Sequence, residues 1–344
     1  MTLLADQSDL LCHTCSGQCV YVPAHQGLEC TQCGTVRRLE TPDDDKAAEE
    51  RDLAEGDDVP VTLEAHSHHC ETCGGDVIFT GPVLSERCAY CNGPVVLRLR
   101  EEAFETMALI PFRVPDEQAQ KNALSWVAGR LAAPDDLSDM VAKGRVAGLY
   151  APFWTFDSEE AIQYWANYRV KRGKRTETRR TSGTMRMSFD DLLVPASPHV
   201  TPLIRDGILH EFDPRRLRPY RAGYLAGFAA ERHHQSVSEG LDDAEKDKDI
   251  LIRNRIKQRI NKSGVHNIRY QTDTTGIRYR RILLPVWMLH YSYQGEAMKV
   301  VVCGLQGRTF GERPFSYRKL TIYSALISAA TMAVGLIWGA VGFL

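Results

Sequence analysis

No Gly-x-x-x-x-Gly-Lys-Ser/Thr run, no His-Glu-x-x-His pair and no Gly-x-Ser-x-Gly elbow occurs in these 344 residues. The first absence removes the phosphate loop of an ATPase, and the others remove two common hydrolytic designs. Gly173-Lys174 lacks the upstream glycine, and His210-Glu211 and the His233-His234 pair read as surface features. Residues 1–11 carry Asp6 and Asp9 and no basic residue, so they do not make a secretory signal. Residues 320–344 lack Asp, Glu, Lys, Arg and His altogether. As a helix they extend about 37 Å at roughly 1.5 Å per residue, against a hydrocarbon core of about 30 Å. Arg313, Arg318 and Lys319 precede them, and Tyr317, Tyr323 and Trp338 suit the interfaces. The expectation is a single-pass tail anchor in the inner membrane, with residues 1–319 cytosolic by the positive-inside bias.

What the chain does have is cysteine in register. Cys12-x-x-Cys15 and Cys30-x-x-Cys33 are separated by fourteen residues. Cys70-x-x-Cys73 and Cys88-x-x-Cys91 repeat that layout at a constant offset of 58. Two thiolates three residues apart fit one tight turn, and two such turns close a tetrahedron around a metal ion. This spacing predicts two structural zinc sites, with iron in a rubredoxin-like site as the rival. Gly34 and Gly74 follow a second cysteine directly and Gly93 follows Cys91 by two, where a positive φ lets the chain fold over sulfur. Cys19 fits a strand better than a fifth ligand position, and Cys303 reads as a small core residue. Eight thiols in metal spacing point to a reducing compartment.

The net charge of −2 hides an asymmetry. Residues 1–66 carry 4 basic and 14 acidic side chains, 67–166 carry 8 and 14, and 167–344 carry 30 and 16. Residues 40–64 hold eleven acidic side chains against Lys46 and Arg51, which predicts a flexible spacer or short exposed helix. His66, His68 and His69, at the entrance to the second cysteine set, read as surface residues.

Beyond residue 100 the apolar spacing changes. Ala119, Ala123, Trp126, Val127 and Leu131 fall on one face of a helix over 116–132. Residues 162–170 and 184–189 read as a hairpin around a basic turn at 171–175. Ser236-Val-Ser-Glu239 has capping-box spacing and opens a helix with Leu241, Ala244, Leu251, Ile252, Ile256 and Ile260 on its apolar side, ended by Gly264. Strands follow at 277–279, 282–293 and 297–303. The expected fold is a multidomain α+β chain. It comprises a zinc ribbon at 1–39, an acidic linker at 40–66, a second ribbon at 67–100, an antiparallel-sheet-containing cytosolic domain at 101–316 and a transmembrane anchor at 317–344.

Four further stretches carry a resemblance: Gly148-Leu-Tyr-Ala-Pro-Phe-Trp-Thr-Phe-Asp157, Tyr224-Leu-Ala-Gly-Phe-Ala-Ala-Glu231, Leu283-Leu-Pro-Val-Trp287 and Cys303-Gly-Leu-Gln-Gly-Arg-Thr-Phe-Gly-Glu-Arg-Pro-Phe-Ser316. In this order they resemble the YdjG-like bacterial membrane proteins with TFIIB-type zinc ribbons, often labelled primosomal protein N′ or replication-restart helicase-like. The resemblance covers nearly the whole chain, with Cys303 standing where the family pattern has Asn. It implies a non-enzymatic membrane scaffold that recruits cytosolic envelope-stress proteins of the PspA or flotillin-like kind.

Two readings follow. In one, the ribbons bind a cytosolic partner protein and the basic half meets anionic membrane lipids. In the other, a membrane-tethered chain binds nucleic acid through residues 169–186, where eight basic residues face the single acid Glu177. The acidic front half repels phosphate and ranks that reading second. A redox role through iron comes third. Within the anchor, Ser324, Ser328, Thr331, Gly335, Gly339 and Gly342 form one narrow helical stripe, which predicts contact with another transmembrane helix, from a second copy or a different subunit.

Overall fold

Three long strands organise the chain. In the computed structural model, which describes residues 10–39, 49–53, 60–63, 67–80, 87–98, 101–129, 132–173, 175–209 and 212–341, two of them are consecutive and the third comes from about a hundred residues further along. The N-terminal part gives β1 (Cys19–Val22), β2 (Gly27–Cys30) and β3 (Val36–Arg38), a separate antiparallel sheet. Then come β4 (Arg51–Asp52), β5 (Val61–Leu63), β6 (Ser67–Cys70), β7 (Asp76–Phe79), β8 (Val95–Arg98), β9 (Glu101–Ala103) and β10 (Ala108–Leu109). The helices α1 (Asp116–Ala128) and α2 (Leu137–Ala142) precede the long hairpin of β11 (Arg145–Arg172) and β12 (Arg175–Pro195). After α3 (Pro202–Leu209), β13 (Arg218–Pro219) and β14 (Ala229–Ala230) lies α4 (Val237–Ile260). The chain closes with β15 (His266–Tyr293), β16 (Glu296–Cys303), β17 (Thr309–Gly311) and α5 (Tyr317–Val341).

Strand β11 is the axis. It pairs antiparallel with β15 from Arg145↔His290 to Asn167↔His266 and with β12 from Phe153↔Pro195 to Arg172↔Arg175. Its burial changes halfway. Residues 149–158 are buried on both faces, whereas 159–166 alternate exposed and buried. The first half therefore lies inside the body, as its apolar run requires. The second half leaves it as a three-stranded wing with α4 on one face. The apolar spacing predicts short strands in this region, but Pro152 and Pro285 sit within continuous strands.

All four motifs that carry the resemblance meet at one place. Leu149 and Tyr150 pair with Ala229 and Ala230, while Pro152 to Leu149 pair with Leu283 to Val286, and Val286 pairs with Cys303. Around them Phe112, Tyr150, Phe228 and Trp287 pack ring to ring, with centroids 4.3–5.8 Å apart. Gly148 is required there, because a Cβ would stand 2.4 Å from the Phe228 ring.

Several boundaries differ from the sequence expectation. Helix α1 ends at Ala128, and Leu131 lies outside the described residues. The capping box at Ser236 and Glu239 is present, but α4 ends on Asn261 at φ 47° rather than at Gly264. Leu251 is exposed, and Lys248 takes a place on the buried stripe with Ala244, Ile252 and Ile256. The spacer expectation covers residues 40–64, of which 40–48, 54–59 and 64 lie outside the described residues. Its described part is fastened: β4 pairs with Arg278 and Tyr279 of β15, and Glu50 bonds Arg278 and Arg280.

The strands of the second cysteine set join the main sheet through β7, whose Phe79 and Ile78 pair with Ala229 and Ala230. The overall architecture is mixed α/β with antiparallel and parallel pairings. Residues Tyr317–Leu336 form an apolar helix long enough to cross a membrane, and none of it is buried against the body.

Candidate metal centres

Each cysteine pair sits on the same turn. The N–H of the fourth residue after the first cysteine donates to that cysteine's carbonyl: Ser16 to Cys12, Gly34 to Cys30, Gly74 to Cys70 and Asn92 to Cys88. The cysteine's own N–H donates to the carbonyl of the next residue along: Gly17, Thr35, Gly75 and Gly93. The turning residue has positive φ in all four cases: Ser16 57°, Gly34 70°, Gly74 77° and Asn92 63°. The expectation for Gly93 is thus displaced by one residue, since Asn92 takes the left-handed conformation that asparagine tolerates. A fifth turn repeats the pattern at Cys303, with Gly307 N–H donating to Cys303 O and Cys303 N–H to Arg308 O, but Gln306 stands where a second thiol would be.

The four turns bring the eight predicted residues into two groups, Cys12, Cys15, Cys30 and Cys33, and Cys70, Cys73, Cys88 and Cys91. Sγ–Sγ separations are 3.7 Å for Cys12–Cys33 and 3.5 Å for Cys15–Cys30. In the second group they are 3.4 Å for Cys70–Cys91 and 3.8 Å for Cys73–Cys88. A tetrahedron with metal–sulfur bonds of about 2.3 Å has edges of about 3.8 Å, so the donor sets fit a metal ion of that size. Backbone N–H groups of Thr14, Gln32, Tyr90 and Gly93 point at Cys12, Cys30, Cys88 and Cys91 sulfurs at 3.3–3.5 Å. Such donors favour thiolate. The N–H groups of Cys15 and Thr14 bring the Cys12 thiol down to about 6, and the Thr35 hydroxyl lowers Cys33. Burial pushes Cys88 up, a cost that a bound cation offsets.

The groups differ in setting. Cys15 and Cys33 are exposed, whereas Cys73 and Cys91 are half-buried. The last turn of the second group is stitched into the body at three points. Ala89 O accepts from His290 Nε2 at 2.8 Å, Asn92 Oδ1 accepts from Arg145 at 2.8 Å, and the Tyr90 hydroxyl donates to the Glu231 carboxylate. Glu231 also accepts from Ser197 Oγ at 2.8 Å, and burial lifts its carboxyl to about 7 although both hydroxyls oppose the rise. Sequence reasoning passed over this carboxylate, whose signal was its place at the end of the Phe-Ala-Ala-Glu231 motif. It also misplaced His233, which is fully buried with Nε2 on Phe153 O at 3.1 Å. His69 Nδ1 meets Asp76 at 2.8 Å and His68 packs edge-on to Phe79, while His66, His210 and Glu211 lie outside the described residues.

A third group, Glu50, Asp157 and Asp191, gathers carboxylates. Arg280 reaches Glu50 and Asp191 at 2.6 and 2.5 Å, and Arg278 reaches Glu50 and Asp157 at 2.8 and 3.1 Å. Guanidinium already supplies the positive charge, and the group serves to fasten the segment at 49–53 to the sheet.

Comparison with known proteins adds one relative. This chain is similar to YdjG. The match to that uncharacterized protein of Bacillus subtilis (strain 168) runs over 233 residues at 24% identity, covering 65% of this chain and 68% of the other. No protein-family model matches the chain, and no solved structure matches it.

Proposed function

We propose that the protein is a non-enzymatic, membrane-anchored scaffold bearing two TFIIB-type zinc ribbons. The observation that carries this reading is the joining of two four-thiol groups to one body that leads directly into the unburied apolar helix α5. Cys12, Cys15, Cys30 and Cys33 hold one zinc ion and Cys70, Cys73, Cys88 and Cys91 the other. Zinc has no redox chemistry and, with four thiolates, no open coordination position, so its contribution is to staple the turns. The turns present short loops to a cytosolic partner, and the resemblance implies envelope-stress proteins of the PspA or flotillin-like kind. Helix α5 holds the assembly at the inner membrane, where its small-residue stripe meets another transmembrane helix.

Geometry bears on the basic segment. Ser316 N–H and Lys319 Nζ bond to Ala132 O and Ala133 O, so α5 starts beside α2, at the end of the sheet where β11 begins. The basic turn at 172–175 is at the other end of 28-residue strands, on the order of 80–90 Å away at about 3.3 Å per residue. An upright molecule presents this turn to the cytosol, and one lying along the bilayer lays it on lipid. Exposed Arg175, Arg179, Arg180 and Arg186 beside the 40%-exposed Trp165 favour the second reading, nucleic-acid binding, over contact with a neutral partner.

Recovery of the full-length protein from membranes, with metal analysis and identification of the proteins that accompany it, tests the proposal. Two zinc ions per chain and a stoichiometric cytosolic protein are expected. Iron at the thiols overturns the zinc assignment. Nucleic acid bound at physiological salt, with no protein partner, moves the conclusion to the second reading.

A further inference from the structure

The first thiol group has a neighbour that the second lacks. The offset of 58 that superposes the two sets places Cys19 on Val77. Cys19 lies in β1, buried, directly opposite Cys30 of β2, which is buried as well. The Cys30 N–H donates away from β1, to Thr35 O, while Thr31 N–H donates to Gln18 O. Cys19 and Cys30 therefore form a non-hydrogen-bonded cross-strand pair. In such pairs the Cα atoms stand about 4.5 Å apart with both side chains on one face, within the roughly 4.4–6.8 Å that a disulfide accepts. On its other side Cys30 Sγ is 3.5 Å from Sγ of Cys15, which is exposed.

Building on the zinc-ribbon reading above, we propose that Cys19 is the resolving thiol of the first ribbon: peroxide draws Cys30 out of the metal tetrahedron into a buried disulfide with Cys19. The exposed Cys15 sulfur attacks hydrogen peroxide; an S–O bond forms, the O–O bond breaks, and the departing hydroxide takes a proton to become water. Cys30 attacks the sulfenic sulfur, forming S–S and expelling the second water. Cys19 then attacks the Cys30 sulfur, and Cys15 leaves as thiolate. Two thiols and one peroxide yield one disulfide and two waters, with two electrons passing from sulfur to oxygen. With Cys30 withdrawn the tetrahedron is open and its metal leaves. The second ribbon has valine at this place and keeps its metal. Because the product bond is buried, bulk thiols reduce it slowly, and the first ribbon stays empty after the oxidant is gone.

The test uses full-length protein in detergent, with zinc counted first. Hydrogen peroxide is added beside a chromogenic zinc chelator, disulfides are mapped by mass spectrometry after alkylation, and zinc reloading is followed after catalase and glutathione. Wild type should release one of two zinc ions, show the Cys19–Cys30 linkage, and reload at least about fivefold more slowly than Cys19→Val. Linkages confined to Cys12–Cys33 or Cys15–Cys30 overturn the proposal, as does equal reloading by the two proteins. An initial count below two zinc ions overturns the ribbon reading instead, and the linkage map of the wild type, which requires no variant, still decides the role of Cys19.

Discussion

Glu231 shows how one side chain sets conditions for a whole region. Its carboxyl is raised by burial to about 7 from an ordinary value of 4.5. A raised carboxyl binds its proton more tightly in the folded chain, so its contribution is fully present below pH 4.5 and is lost as pH rises through 7. Stability at this group should fall by about 1.4 kcal/mol per pH unit between those limits. Glu231→Gln, a permanent stand-in for the protonated acid, should remove that part of the fall. Melting temperatures of wild type and variant are expected to lie close at pH 5 and to separate at pH 8, with the variant higher. An unchanged difference between the two pH values would remove Glu231 from the titration. Gly148 makes a simpler case. Gly148→Ala drives a methyl group into the Phe228 ring and should cost about 1–3 kcal/mol, read by thermal denaturation in detergent.

At the scale of elements, α4 is held to the wing by an ion pair in the middle of its apolar stripe. Lys248 Nζ meets Glu160 Oε1 at 2.9 Å with both side chains 1% exposed, and Glu160 also accepts from Ser158 and Thr274 hydroxyls at 3.1 and 2.6 Å. Lys248→Met leaves a buried carboxylate without its cation and should cost about 3–5 kcal/mol. The double variant Lys248→Met with Glu160→Leu should recover most of that loss, and a double-mutant cycle by denaturant unfolding measures the coupling. This lysine also marks where reading the sequence stops. The cysteine turns were legible because ligand spacing is local and repeated, and α4 was legible from its capping box. The hairpin at 162–170 and 184–189 was legible and is present. The continuation of its strands into the body and its third strand were not, because β11 changes its burial rule halfway and β15 lies about a hundred residues away. Lys248 is absent from the apolar side expected of α4, because the buried Glu160 that makes a cation tolerable there comes from a distant strand. The carboxylates at Glu50 and Glu231 escaped for the same reason, since their partners come from other segments.

For the whole molecule, the body is fastened at one end to the start of α5 and carries its most basic turn at the other. Removing residues 317–344 should release the protein from the membrane fraction with both zinc ions retained, because no described contact joins α5 beyond Lys319 to the thiol groups. Cell fractionation with metal analysis checks this. Persistent sedimentation that high salt reverses would mean that the wing itself holds lipid. The length of the wing also has a mechanical meaning. Strand β11 is gripped along most of its length by neighbours on both sides, so a pull along the strands loads many hydrogen bonds at once, in shear. A sideways pull at the free turn loads them one after another, as a zipper is opened. Whatever grasps the hairpin tip at Arg172 and Arg175 therefore meets a strut that resists tension and yields to peeling, and the direction of the pull decides how much force reaches helix α5.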